Sequence, residues 1–314
     1  MNMKVFVTGG AGFIGSHIVD RLMDNGNSVT VYDNLSSGKK EFIKHHSENN
    51  KFTFIEADLI DIEKITESID GHDVVFHIAA NPDVRMGAQQ PNIAKKDILG
   101  TYNLLDAMRE NDIKKILFSS SSVIYGETPP FPLSEDYGPL LPISVYGAAK
   151  LAAEGLISSF CHTFDMNCWI YRFANVVGER GTHGVIVDFI NKLRKNPNEI
   201  EILGDGKQKK PYLDVKDTVD GMFFGFEHSN EQINLFNLGC DTTTEVTRIA
   251  ELVVEEMGLQ NVTFKYTGGK RGWKGDVPQF QFNVEKIGKL GWKAKYSSDE
   301  VIKKAIRDVL DANI

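Results

Sequence analysis

The sequence predicts an α/β protein built on a doubly wound parallel sheet, with a smaller second domain that is discontinuous in the chain. Three observations lead to this prediction. Short apolar segments typical of buried strands alternate with segments of helical periodicity through the first half of the chain. A glycine-rich turn joins the first of these strands to the first helix. The chain also has 314 residues, 41% of them hydrophobic, which exceeds the length that one core usually supports.

The predicted strands are short runs rich in β-branched and aromatic residues. In chain order they cover residues 4–9, 28–33, 52–58, 73–80, 114–122 and 167–173. Helices are predicted where apolar residues recur every three or four positions, over residues 13–25, 92–110 and 144–164. Because strands that alternate with helices form βαβ units, we expect a mostly parallel sheet that is covered on both faces.

The pattern loosens after Asn175 into glycine-rich loops and shorter elements. Residues 212–226 and 233–239 nevertheless look like a strand, a helix and a strand that could return to the first sheet. The predicted domain boundaries follow from this return. The first domain comprises residues 1–172 with 213–238, and the second, smaller C-terminal domain comprises residues 173–212 with 239–314.

Composition and charge exclude several classes of function. The net charge of -8 argues against binding to nucleic acid or to an anionic membrane. No apolar run reaches the ~18 residues of a membrane span, and the first residues run directly into a strand, so we expect a cytoplasmic protein. The three cysteines are predicted to be free thiols. The pair His45 and His46 lies in a polar stretch that resembles a loop, and the sequence predicts no metal site.

The turn TGGAGFIG places Gly9, Gly12 and Gly15 where the first strand meets the first helix. Glycine permits a tight turn and a close backbone approach, while the free N–H groups of the helix N-terminus attract a pyrophosphate. Asp33 ends the second strand, where a carboxylate accepts hydrogen bonds from an adenosine ribose. This combination predicts a dinucleotide site of Rossmann type, and the acid favours NAD over NADP. Asp58, at the end of the third strand, either meets the adenine edge or caps a helix.

Tyr146 stands four residues before Lys150 in the helical segment SVYGAAK. This spacing puts both side chains on one face of a helix, about one turn apart. A nearby ammonium stabilises a phenolate and lowers the pKa of the phenol, so that the tyrosine can act as a base near neutral pH. Taken alone, the pair is better explained by a packed tyrosine and a solvated lysine, and the catalytic interpretation depends on the rest of the chain.

These motifs together resemble the extended short-chain dehydrogenase/reductase family over essentially the whole chain. The resemblance is carried by the Gly9–Gly15 loop, Asp33, FSSSSVIYG at 118–126, Tyr146 with Lys150, and RFANVVG at 172–178. Within that family the sequence is similar to nucleotide-sugar 4-epimerases, particularly the short archaeal-type enzymes that act on UDP-glucose or UDP-N-acetylglucosamine.

The resemblance implies the roles of three catalytic residues. Tyr146 would exchange a proton with the 4-hydroxyl of the sugar, and its phenolate would be favoured by Lys150 and by the positive nicotinamide. Lys150 would also hold the nicotinamide ribose, and Ser121 would hydrogen-bond the same hydroxyl. NAD would take hydride from C4 and return it to the other face of a 4-keto sugar. The implied cofactor site comprises Gly9, Gly12, Phe13, Ile14, Gly15, Asp33, Asn34, Ser37, Gly38, Asp58, Leu59, Ala79, Ala80, Tyr146 and Lys150.

The resemblance also implies a site for the UDP-sugar. In it Asn175 contacts the diphosphate, Arg271 a phosphate and Asp276 the uridine ribose. Lys210 replaces a phosphate-binding arginine of many relatives, and Asp97 replaces a more usual asparagine near the nicotinamide. The implied substrate site comprises Arg85, Ser121, Tyr146, Asn175, Gly184, Val185, Leu203, Lys210, Arg271 and Asp276.

Two positions bear on which sugar is bound. Gly184 occupies a position where glucose-restricted relatives have a bulkier residue, so that it leaves room for a 2-acetamido group. Phe280, in contrast, aligns with a position where large residues disfavour that group. The balance leans towards UDP-N-acetylglucosamine, with UDP-glucose also accepted. Because Arg85 could meet a C6 carboxylate, a UDP-glucuronate 4-epimerase or decarboxylase remains open. Dehydration is disfavoured, because Ser122 and Val123 follow Ser121 in place of an Asp-Glu pair.

The sequence also bears on one alternative function and on the expected oligomeric state. The fold also serves non-catalytic dinucleotide sensors, but such proteins tend to lack the tyrosine or the lysine. The helices predicted at 92–110 and 146–164 match those that in the family pair across a two-fold axis. A homodimer is therefore expected.

Overall fold

The computed structural model describes residues 2–81, 90–127 and 132–312. Its strands are β1 Lys4–Thr8, β2 Ser28–Asp33, β3 Phe52–Glu56, β4 Val74–His77, β5 Lys115–Ser121, β6 Asn167–Phe173, β7 Asn175–Val177, β8 Glu199–Ile202, β9 Lys209–Lys210, β10 Tyr212–Asp214, β11 Ile233–Leu238, β12 Thr244–Glu245 and β13 Thr263–Tyr266. Its α-helices are α1 Phe13–Asp24, α2 Ile62–Ile69, α3 Asn92–Glu110, α4 Val145–Phe164, α5 Val185–Lys195, α6 Val215–His228, α7 Val246–Glu256, α8 Glu285–Leu290 and α9 Ser298–Asp311.

The central sheet has seven strands in the order β11-β6-β5-β4-β1-β2-β3, and every pair is parallel. This arrangement confirms the predicted doubly wound α/β fold. The strand order reverses at β1, between β2 and β4, which is where ligands bind in open parallel sheets. The predicted strand and helix limits agree with the observed ones to within a few residues, the usual scatter for element ends.

Alternate residues of the strands face two separate hydrophobic clusters. Val5 and Val7 pack with α1 and α6 on one face, and Phe6 packs with α2, α3 and α4 on the other. Since both faces are covered, the strands are apolar almost throughout, and all four residues of β4 are buried.

A third hydrophobic cluster lies outside the sheet. It joins α5, α7 and α9 to β8, and its centre is formed by Ile190, Ile200, Ile249 and Ile302, each fully buried. Helix α9 begins with a capping box between Ser297 and Glu300, which satisfies backbone N–H groups at its first turn. The C-terminal part of the chain thus has a core of its own.

The segment 212–239 returns to the central sheet only in part. Helix α6 packs on the sheet, and β11 pairs with β6 as the edge strand, as the sequence predicted. The predicted strand at Tyr212, however, lies outside the sheet as β10, which pairs with β7. Because β11 occupies the open edge of β6, β10 has no place in the central sheet.

Candidate active site

A large cavity of about 870 Å³ runs along the carboxyl ends of the central strands. It is lined by most of the residues that the sequence predicted for the two ligands. These are Gly9, Gly12, Phe13, Ile14, Gly15, Asp33, Asn34, Ser37, Gly38, Asp58, Leu59, Ala79, Ala80, Ser121, Tyr146, Asn175, Gly184, Val185, Leu203, Lys210 and Asp276. Its volume lies within the usual range for a ligand site.

The glycine turn leaves the floor of the cavity open to a ligand. Gly9 has a φ of 71°, and a Cβ at this position would lie 2.6 Å from the backbone nitrogen of Ala79. A Cβ on Gly15 would collide with the carbonyl oxygen of Gly9. Side chains at these positions would therefore force the backbone of the turn apart at the N-terminus of α1. The turn fits the pyrophosphate of a dinucleotide, which needs close contact with backbone N–H groups.

The carboxylate of Asp33 is held rigidly at the end of β2. Its two oxygens accept hydrogen bonds from the backbone nitrogens of Ala11 at 2.9 Å and Leu35 at 2.8 Å. Burial raises the pKa of Asp33, while the two backbone N–H groups lower it. A fixed acceptor beside Gly38 suits a ribose hydroxyl.

Asp58 lies at the same end of the pocket, where its carboxylate accepts hydrogen bonds from the side chain of Asn34 at 3.0 Å and from the backbone of Ile60 at 3.2 Å. The helix-cap alternative for Asp58 is wrong, because α2 is capped by Asp61, whose side chain accepts from the nitrogen of Lys64. Asp58 therefore belongs to the pocket wall.

Helix α4 presents two side chains, one turn apart, to the end of β5. Its N-terminus is capped by Ser144, whose hydroxyl accepts from the nitrogen of Gly147 at 3.0 Å. The Tyr146 side chain is hydrogen-bonded to that of Ser121. One turn later Lys150 Nζ donates to the carbonyl oxygen of Ser119 at 2.5 Å. The spacing predicted from the sequence thus brings the serine, the tyrosine and the lysine together.

The protonation of Tyr146 differs from the sequence expectation. Burial raises the pKa of Tyr146 above its ordinary value, the charge of Asp97 raises it further, and only the hydrogen bond from Ser121 lowers it. Lys150 Nζ lies 5.9 Å from the centre of the Tyr146 ring, and its charge does not offset the burial. Without a cofactor the phenol is therefore favoured over the phenolate, so Lys150 by itself does not lower the pKa of Tyr146. The second group to which the resemblance assigns this effect is the positive nicotinamide.

Lys150 and Asp97 face each other across a small cavity that adjoins the large one and is also lined by Ala79 and Ala80. Burial lowers the pKa of Lys150 to about 8, although the charges of Asp97 and Glu154 act in the opposite direction. Burial raises the pKa of Asp97, and the charge of Lys150 lowers it. The two groups therefore stabilise each other's charged forms. This electrostatic interaction gives a reason for an acid at position 97, which the sequence left unexplained.

A buried polar network supports the site from behind. Glu154, one turn beyond Lys150, accepts a hydrogen bond of 2.5 Å from Ser120 and forms a two-point ion pair with Arg172. Arg172 Nη1 also donates to the hydroxyl of Tyr125 at 2.8 Å and to the carbonyl of Glu135 at 3.0 Å. This network fixes α4 against the end of β5, where Ser121 lies.

Lys210 and Asp276, two of the residues predicted for the nucleotide-sugar, lie on the side of the cavity formed by the C-terminal region. Lys210 and Asp276 form an ion pair of 2.6 Å, and Asp276 also accepts from the nitrogen of Gly272 at 3.1 Å. Arg271 does not line the cavity, because its guanidinium is paired with Glu127 at 2.6 Å and with the carbonyl of Asp276 at 2.8 Å. Arg85 lies outside the described residues.

The two positions that bear on sugar choice differ in their surroundings. A Cβ on Gly184 would meet open space, since no heavy atom lies within 4 Å of it. Phe280 is 6% exposed, packs against Phe282 and lines the cavity. Gly184, at the start of α5, is therefore the roomier of the two positions.

Sequence reasoning missed several residues of the cavity wall. Trp273 lies inside the loop RGWKGDV that the sequence singled out, but its ring was not assigned a role. Gln208 is 3% exposed, and among the described residues its Oε1 has no hydrogen-bond partner. Other wall residues carried no local signal, among them Lys96, Phe189, Tyr212 and Val246.

Comparison with known proteins places these features in a family. Residues 5–239 match the family described as NAD dependent epimerase/dehydratase, which confirms NAD as the predicted cofactor. A protein of Methanocaldococcus jannaschii described as a putative UDP-glucose 4-epimerase is 35% identical over 96% of this chain and 97% of its own.

Solved structures agree along the full length. A UDP-galactose 4-epimerase superposes with a TM-score of 0.88 at 39% identity and covers 99% of both chains. A UDP-N-acetylglucosamine 4-epimerase from Methanobrevibacter ruminantium, in complex with UDP-N-acetylmuramic acid, has a TM-score of 0.88 at 30% identity and the same coverage. No helix in the described part of the chain is long and apolar enough to cross a bilayer.

Proposed function

Because the chain belongs to the NAD dependent epimerase/dehydratase family, we propose that it inverts C4 of a UDP-hexose through a 4-keto intermediate. The observation that carries the proposal is the contact of Tyr146 with Ser121 beside Lys150, at the strand end that faces the glycine turn across one cavity. A relative described as a putative UDP-glucose 4-epimerase and structures of 4-epimerases support it.

The bound dinucleotide supplies the redox chemistry, which is the removal of hydride from C4 and its return to the opposite face of the keto sugar. Tyr146 takes the proton of the 4-hydroxyl and gives it back at the end. Ser121 orients this hydroxyl by sharing the hydrogen bond with Tyr146. Because burial raises the pKa of the Tyr146 phenol, the positive charge of an oxidised nicotinamide would be needed in addition to Lys150 to favour the phenolate.

Lys150 and Asp33 position the cofactor in this proposal. Lys150 offers ammonium donors to the nicotinamide ribose from beside the end of β5, and Asp33 accepts from the adenosine ribose at the end of β2. The carboxylate of Asp33 repels a 2'-phosphate, which agrees with NAD. On the substrate side, Asn175 and Lys210 would hold the diphosphate, and Asp276 would accept from the uridine ribose once its pair with Lys210 opens.

The proposed sugar is UDP-N-acetylglucosamine, with UDP-glucose as a second substrate. The open space at Gly184 supports the larger sugar, since an acetamido group needs a volume that no side chain fills. The likeness to a UDP-N-acetylglucosamine 4-epimerase points in the same direction.

The test is to incubate the purified chain with each UDP-sugar separately in the presence of catalytic NAD and to separate the products by chromatography. We expect the C4 epimer from both sugars, without net formation of reduced cofactor. A faster rate with UDP-N-acetylglucosamine would support the sugar assignment, and a rate confined to UDP-glucose would overturn it. If neither sugar gave its epimer while UDP-glucuronate gave a pentose or an epimeric uronate, the 4-epimerase proposal would be replaced by that rival.

We also propose that each of the two predicted domains binds one of the two ligands. Residues 1–172 with 213–238 would bind the dinucleotide, and residues 173–212 with 239–314 would bind the UDP-sugar. The separate hydrophobic cluster of α5, α7 and α9 supports this division. Placement in the cytoplasm stays a prediction from the sequence.

We also expect the chain to form a homodimer through α3 and α4. The outer face of α3 carries Leu99 and Tyr102, which are 42% and 44% exposed, and the Tyr102 ring packs against Phe160 of α4. Light scattering at micromolar concentration should give twice the chain mass. The double change Leu99→Glu and Tyr102→Glu should give a monomer, because it buries two charges in the contact.

The matched control for the dimer is Leu290→Glu, since Leu290 is also exposed but lies on α8. This variant should keep the mass of the parent protein. A wild-type protein with the mass of one chain would contradict the prediction.

A further inference from the structure

A second cluster of ligand-type side chains lies on the sheet face that carries α1. Asp20 projects from α1, and His45 and His46 lie in the short 3₁₀ turn Lys44–His46 that follows β2. The Nε2 atoms of the two histidines lie 2.8 Å and 2.7 Å from the same carboxylate oxygen of Asp20. One donor atom from each of the three residues falls within 4.8 Å of the others.

The other contacts of the cluster hold it in place. The ring of His46 packs against Phe52 at 5.7 Å, and its side chain is only 11% exposed. Asp20 is 24% exposed, whereas His45 is 51% exposed. The donor atoms therefore converge on a point that is walled by protein on the inner side and open to solvent beyond His45.

Arg180 fixes the orientation of the carboxylate. Its Nη2 lies 2.8 Å from the second oxygen of Asp20, and its guanidinium lies 6.0 Å from the centre of the Phe42 ring. The first oxygen therefore points at the histidines, while the second is held from behind. Hydrogen bonding of a ligating carboxylate by an outer partner is the usual construction of a metal site.

We propose that Asp20, His45 and His46 bind one divalent transition-metal ion of the zinc type, with solvent completing the coordination. Two imidazole nitrogens and one carboxylate oxygen are a common ligand set for zinc. With bonds of about 2.0–2.1 Å, ligand atoms of a tetrahedral site lie ~3.3 Å apart. The two nitrogen–oxygen distances must then lengthen by about 0.5 Å, which small rotations of the side chains provide.

Two features limit the strength of this site. The ion must displace the protons through which the histidines bond to Asp20, and the nearby charge of Arg180 opposes a cation. We therefore expect weaker binding than at a closed structural zinc site with four protein ligands. Solvent access at His45 supplies the entry path that such a site requires.

The ion would join two segments directly, and a third through the pair of Asp20 with Arg180, and all three border the proposed cofactor and sugar sites. Helix α1 begins at the glycine turn, and the 3₁₀ turn follows the segment of Ser37 and Gly38. Arg180 begins the loop that leads to Thr182 and Gly184 in the cavity wall. Because the ligands do not line the cavity, the ion would stabilise these segments without contacting the dinucleotide or sugar.

The test uses the full chain without a histidine tag, saturated with NAD and freed of metal by a chelator. Cobalt(II) added in steps should bind one ion per chain and give the intense visible absorption of a four-coordinate site, and zinc should abolish this absorption. Zinc should also raise the melting temperature. His45→Ala, His46→Ala and Asp20→Asn should each weaken binding at least about tenfold, because each removes one of three protein ligands.

The matched control is His228→Ala, since His228 is exposed at the end of α6 and lies outside the cluster. This variant should bind cobalt as the parent protein does. An unchanged affinity in both His45→Ala and His46→Ala, or no visible absorption at one equivalent of cobalt, would overturn the proposal. The direct readout is metal binding, so failure of the 4-epimerase assay would leave this test intact.

Discussion

Replacing Tyr146 by phenylalanine is expected to lower kcat for 4-epimerisation by about 10²–10⁴-fold, the usual contribution of a positioned acid or base. The change removes only the hydroxyl that is hydrogen-bonded to Ser121. The ring stays in its half-buried place, so the fold and the cavity should not change. The measurement is the rate of epimer formation at saturating sugar, together with the affinity for NAD, which should change little.

The control is Tyr266→Phe, because Tyr266 lies on β13 with its hydroxyl directed at Thr247 and does not line the cavity. This variant should retain the parent rate. Epimerisation by the Tyr146 variant at the parent rate would show that another group moves the proton. A fall in rate that matched an equal loss of NAD binding would instead assign Tyr146 a structural role.

Replacing Arg172 by methionine is expected to lower the free energy of unfolding by about 3–5 kcal/mol. Arg172 is 3% exposed and makes two contacts with the Glu154 carboxylate, at 3.1 Å and 2.8 Å. Methionine keeps much of the volume but leaves that carboxylate buried without its ion-pair partner. Urea unfolding monitored by circular dichroism gives the difference directly.

Arg307→Met is the matched control, since Arg307 also makes two contacts of 2.8 Å with one carboxylate, that of Glu256, but on the surface. We expect little change there, because exposed ion pairs are screened by water. Adding Glu154→Leu to Arg172→Met should recover much of the lost stability, because no charge then remains buried. Equal losses in the Arg172 and Arg307 variants would contradict the role of burial.

The sequence predicted the central sheet well because its signals are local. A few adjacent residues are enough to predict each strand from β1 to β6 and the glycine turn before α1. Asp33 and Ser121 were placed correctly at strand ends for the same reason. Since parallel strands end at one edge of the sheet, correct strands were sufficient to bring Asp33, Asp58 and Ser121 to one cavity.

The failures concern pairings between distant parts of the chain. No local pattern shows that Glu127 engages Arg271, or that β11 excludes β10 from the sheet. The protonation of Tyr146 depends on burial, which a spacing of four residues does not report. The contact of His45 and His46 with Asp20 also carries no local signal, because Asp20 lies 25 and 26 residues away in the chain.

The separate hydrophobic cluster of α5, α7 and α9 has a consequence for how this protein can change. Val185 and Leu203 lie on or next to elements of that cluster, whereas Ser121 and Lys150 are anchored in the central sheet. Substitutions at the first pair should therefore disturb packing that the catalytic residues do not share. Directed evolution towards a new sugar can therefore change residues around Val185 and Leu203, while Ser121 and Lys150 keep their positions and the reaction stays the same.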